Sequence, residues 1–113
     1  MDFEKSLVWH RSKHLAVEMY RAFAGCRDVE FRSQGTRAAV AVPSNSAEGM
    51  ERRGKQEKAG CLRVAKAPCA ELRTQLIIAG EIDYWPAELA NDWITETREL
   101  SRLLAGLINK ISN

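Results

Sequence analysis

His10 and His14 are spaced i,i+4, which puts both imidazoles on one face of a helix, a spacing that a zinc site can use. No HExxH and no carboxylate pattern accompanies them, and two histidines at a helix surface or boundary are the plainer reading. Cys26, Cys61 and Cys69 cannot all pair within one chain and show no CxxC spacing, so reduced thiols account for them. Cys69 falls on an apolar seam, where a small buried side chain fits. Glu48 and Glu71 are the acidic residues that stand out, each either a surface charge or a carboxylate bonded to a neighbouring helix. Glu71 adjoins Leu72 on that seam and is either exposed or paired with Arg37. No general acid, base or nucleophile stands in a recognisable pattern, so neither catalysis, a metal nor a cofactor is expected.

The basic residues are more informative. From Glu51 to Lys66 there are six bases (Arg52, Arg53, Lys55, Lys58, Arg63, Lys66) against two acids, a local balance of +4. From Asp83 onward Arg98, Arg102 and Lys110 face five acids, a balance of −2. On a helix Arg63, Lys66 and Arg73 recur at three and seven, forming a basic ridge beside the apolar seam. Such a ridge is either a solvated face or a track for a phosphate backbone. The candidate nucleic-acid contacts are Arg52, Arg53, Lys55, Arg63, Lys66 and Arg73.

Four helices must position these groups. The first is expected from Phe3 to Ala24, with Val8, Ser12, Leu15, Met19 and Ala22 inward, a second stripe of Trp9, Ala16, Tyr20 and Phe23 beside them, and Gly25 as the stop. Asp28 is the N-cap of the second, whose inner face reads Val29, Ser33, Thr36, Val40, Pro43 and Ala47. Gly49 and Gly54 bracket the turn that follows. The third, Lys55 to Ile82, has the cleanest spacing: Leu62, Ala65, Cys69, Leu72, Leu76 and Ala79, a seven-residue repeat that stays in phase across Pro68 and so predicts a kink rather than a break. Asp83 can take a left-handed conformation in the turn before Pro86. The fourth helix follows with Trp93, Thr97, Leu100, Leu104, Leu107 and Ile111.

Short connections between four amphipathic helices predict an all-α, antiparallel up-down-up-down bundle. With 113 residues, 45% of them apolar and 28% charged, the chain has room for one domain, residues 1–113. A net charge of +2 does not argue for nucleic acid by itself. No stretch reaches the roughly 18 to 20 apolar residues of a membrane span, and Met1-Asp2-Phe3-Glu4 lacks the basic start of a signal peptide, which points to the cytoplasm.

At Arg37-Ala38-Ala39, Pro43, Asn45 and Ala47-Glu48-Gly49, followed by Arg53, the sequence resembles the bacterial four-helix-bundle family encoded by intervening sequences in large-subunit ribosomal RNA genes. The likeness begins at Leu7-Val8-Trp9, continues through Tyr20, Gln34, Val64-Ala65, Glu71-Leu72 and Thr74, and reaches Ala79, Tyr84 and Leu107-Ile108. Thr36 stands where the family usually has a first arginine, and Ala67-Pro68 replaces its Gly-Ser. The resemblance implies a homopentameric bundle without known catalytic activity, with a kinked but continuous second helix, since Pro43 belongs to the pattern. It extends to the accessory variability determinant proteins of diversity-generating retroelements, pentameric barrels that bind nucleic acid and partner a reverse transcriptase. By that analogy the expected function is RNA or DNA binding by a non-catalytic oligomer; the alternative is a protein-interaction scaffold with no nucleic-acid role.

Overall fold

A computed structural model describes residues 2–113. Asp2 caps a short 3-10 turn at Phe3–Lys5, and Ser6 then caps the first helix, α1 (Leu7–Phe23), its hydroxyl accepting the amide of Trp9 at 3.4 Å. The expected helix from Phe3 is therefore split. A serine able to bond its neighbours' amides competes with helix continuation, and here it wins. Asp28 caps α2 (Val29–Glu51), Gly54 precedes α3 (Lys55–Glu81), and Pro86 precedes α4 (Ala87–Ser112). Each helix packs on the next in the chain, and α4 closes onto α1 in a body of 43 × 20 × 20 Å. The antiparallel bundle is as expected, and α2 and α3 run unbroken through Pro43 and Pro68. Asp83 takes the left-handed conformation, with φ 60°.

The seam of α3 is buried at every expected position: Leu62, Ala65, Cys69, Leu72, Leu76 and Ala79. That of α2 is not. Val29 is 62% exposed and Val40 40%, Ser33 is exposed, and Thr36 and Ala47 are half-buried; only Pro43 of the expected face lies inside. The buried face is Gly35, Ala38, Ala39, Val42, Ser46, Gly49 and Met50, rotated from the expected one. Small residues at these positions bring helices close. A Cβ on Gly49 would sit 3.0 Å from Leu62 Cγ and 3.3 Å from Cys61 Cβ, so Gly49 is a contact point with α3 and not part of a turn. On α4, Ile108 is buried where Leu107 and Ile111 are half-buried. On α1, Ala22 is half-buried and Tyr20 exposed, while Phe23 is fully buried.

One end of the bundle is closed by rings in edge contact: Phe23 with Trp85 (4.9 Å between centroids), Phe31 with Tyr84 (5.4 Å) and Trp85 with Trp93 (5.4 Å). Asp28 ties this end together, accepting the Phe31 amide at 3.1 Å and the Tyr84 hydroxyl at 2.8 Å. The amide bond first and the Tyr84 hydroxyl second hold its carboxyl below the usual range, while the same contact raises Tyr84. A depressed carboxyl contributes stability that is fully present above the unfolded pKa of about 3.9 and is lost as pH falls through the folded value. Tyr84→Phe is expected to move the Asp28 titration upward in a carboxyl NMR experiment. An unmoved titration would mean the phenol bond contributes nothing to it.

Candidate nucleic-acid interface

The helical repeat of α3 puts Lys66 and Arg73, seven residues apart, on the side facing α4, with Arg63 one turn before Lys66 on the outer edge of that side. Two hollows run along the α3/α4 flank. One, of about 700 Å³, is lined by Lys55, Gln56, Ala59, Arg63 and Ser112. The next, of about 500 Å³, is lined by Arg63, Lys66, Ala105, Ile108, Asn109 and Ser112. They share Arg63 and Ser112 and include no carboxylate. Lys55, Arg63 and Lys66 are exposed and belong to none of the ion pairs among the described residues. Three cations thus line two adjoining hollows whose other lining residues are uncharged, an arrangement that offers positive charge to a polyanion.

The other candidate residues are placed differently. Arg73 is half-buried and reaches across to α4: its Nε donates to Thr97 Oγ1 at 3.0 Å, and its Nη2 donates to Ser101 Oγ at 2.7 Å and to the Thr97 carbonyl at 3.2 Å. Its partners are neutral, so its charge stays on the flank while most of its donors are committed. Arg52 is bound to Glu48 at 2.7 Å, and that hydrogen bond raises its pKa. Arg53 is exposed in the α2–α3 turn. Lys58 donates to the Met50 carbonyl at 2.9 Å, satisfying the C-terminal end of α2.

Of the motif residues, Pro43 and Gly49 are buried in α2, and Asn45 donates to the Ala41 carbonyl at 2.8 Å. Glu48 is on the surface with Arg52. Arg37 and Glu71 are both exposed, and no ion pair joins them among the described residues. Exposure, one of the two readings of Glu71, is what the fold adopts. The two histidines turn to different partners, His10 to the Glu4 carbonyl and His14 to Glu18 at 2.7 Å. Cys69 is fully buried, 3.1 Å from the Thr97 carbonyl, and all three cysteines are free thiols.

Arg98 was hidden by the charge balance of the last segment. It lines a further hollow on the α3/α4 flank with Ile77, Gly80 and Glu81, whereas Asp92 and Glu96 line the groove on the opposite side of α4, beside His14 and Glu18 of α1. A net sum averages the two sides away. The i,i+4 pairs Asp92/Glu96 and Arg98/Arg102 lie on separate stripes of one helix, and reading them by stripe separates the charges.

The family model for 23S rRNA-intervening sequence protein matches residues 4–106. A crystal structure of a protein of unknown function from the S23 ribosomal protein family of Bacteroides thetaiotaomicron superposes with a TM-score of 0.84 at 18% sequence identity, over 90% of this chain and 98% of that one. At this identity the likeness establishes the shared helical fold. No curated protein matches the chain.

Proposed function

The chain belongs to the 23S rRNA-intervening sequence protein family, and from that premise we propose that it is a non-catalytic, cytoplasmic, oligomeric bundle that binds nucleic acid through its α3/α4 flank. The observation that carries this is the pair of adjoining hollows lined by Lys55, Arg63 and Lys66 and by no carboxylate. Kinship supports a homopentamer, in which the flank would recur in every subunit and raise the local positive potential. Native mass measurement tests the assembly. A monomer at micromolar concentration would remove it.

Binding is tested by anisotropy of labelled RNA and DNA at about 50 and about 200 mM salt, where neutralising three phosphates predicts roughly a 40-fold loss of affinity. Absence of binding to any of them at the lower salt would overturn the reading. A second reading, a scaffold for a protein partner, is favoured by exposed apolar side chains on α3: Val64 is 56% exposed, Ile78 45% and, just past the helix, Ile82 50%. A protein partner retained after nuclease treatment and after charge reversal at Arg63 and Lys66 would select it.

A further inference from the structure

The way α4 divides its charge specifies the form of the ligand, on the premise that the α3/α4 flank binds nucleic acid. On the α1 side, Glu96 is bound by Arg11, and Glu18 holds His14 at 2.7 Å and the Trp93 indole nitrogen at 2.9 Å. That side is acidic and largely self-satisfied. On the α3 side, Arg98 belongs to none of the ion pairs among the described residues, although Glu81 lines the same hollow. Arg102 contributes less, because Glu99 holds it at 2.9 Å.

Lys55, Arg63, Lys66 and Arg73 follow one another along α3, and Arg98 shares a hollow with Ile77, one turn beyond Arg73. From the level of Lys55 to that of Ile77 the helix rises about 33 Å. This matches one turn of a DNA double helix, about 34 to 36 Å. Sites for single strands combine cations with exposed rings on which bases stack. None of the residues lining the three hollows of this flank is aromatic. Phe3 and Trp9 pack on each other at the start of α1, and the largest group of rings packs edge to face at the end where α3 meets α4, with the Tyr84 hydroxyl there bonded to Asp28.

We infer that the ligand of this flank is double-helical nucleic acid, held by its phosphates over about one turn, with Arg98 of α4 extending the track laid down by Lys55, Arg63 and Lys66 of α3. A straight row of cations without stacking platforms suits a stiff ligand whose phosphates are already fixed in space.

The test compares 20-nucleotide single strands with the corresponding duplexes, as RNA and as DNA, against the full chain and against R98E, whose fold is checked by circular dichroism. The duplexes are expected to bind at least about 10-fold more tightly than the single strands, and R98E to weaken duplex binding several-fold while lowering the salt slope by about one. The RNA and DNA arms identify which duplex is preferred. Single strands binding as tightly as duplexes would overturn the inference and leave nucleic-acid binding intact. Duplex binding undiminished in R98E would remove Arg98 from the track. Failure of every nucleic acid to bind would instead strike the reading on which the inference rests.

Discussion

Gly35→Leu is expected to destabilise the bundle by about 3 kcal/mol, the upper part of the range for overpacking a filled core. Gly35 lies on the buried face of α2, where a Cβ would fall 2.8 Å from Phe23 Cε2 and 2.9 Å from Cε1, with the ring tip closer still. The ring cannot retreat easily. Phe23 is fully buried, with Trp85 at 4.9 Å and Phe31 at 5.8 Å between centroids. Gly35→Ala should be milder, because the helix gains up to about 1 kcal/mol from replacing glycine. The signature is coupling: Phe23→Ala alone should cost about 3 to 5 kcal/mol, yet combined with Gly35→Leu it should cost clearly less than the two separate losses together. Urea denaturation at one fixed protein concentration measures this, since association would make apparent stability depend on concentration. If Gly35→Leu is as stable as the parent, the close approach of α1 and α2 is not as described.

That glycine also explains what the sequence concealed. The α3 seam was legible because Leu62, Leu72 and Leu76 mark a buried face by side-chain size, and the repeat persists across Pro68. The α2 face reads wrongly because, apart from Val42 and Met50, its contacts are made by Gly35, Ala38, Ala39, Ser46 and Gly49, residues with little or no apolar weight, while Val29 and Val40 point to solvent. Periodicity finds large apolar residues. Where helices meet through small ones, the informative quantity is the room between backbones, and no hydropathy pattern reports it. Ser6 is not legible as a cap because Glu4 and Lys5 before it suit a helix as well as a turn, and its role shows only where the hydroxyl accepts the amide of Trp9. Asp83 was legible because few non-glycine residues tolerate a left-handed turn. The basic side of α3 could be read from spacing, but Arg73 could not be told from its neighbours, because its hydrogen bonds depend on Thr97 and Ser101 of another helix.

Reversing Lys55, Arg63 and Lys66 together to glutamate is expected to reduce nucleic-acid affinity at low salt by at least about 100-fold and to lower the salt slope by about three, one for each phosphate contact removed. These three are the right choice because each is exposed and none belongs to an ion pair among the described residues, so reversal changes the groove's potential while leaving core contacts in place. Arg73→Ala would be ambiguous, since it would also strip the donors that Thr97 and Ser101 accept from. Arg52→Ala would be too, because besides removing a positive charge it would leave Glu48 at the end of α2 without its partner. Arg21→Glu supplies the control: it is an exposed α1 charge near the ring-closed end, away from the flank, and a purely net-charge effect would weaken binding there as well. A steep loss in the triple variant with little change in Arg21→Glu would place the contact on α3 and α4. The triple variant removes three times as much positive charge as Arg21→Glu, so losses equal per unit of charge would reduce the interaction to the protein's overall charge, and an unchanged slope in the triple variant would remove this groove from binding altogether.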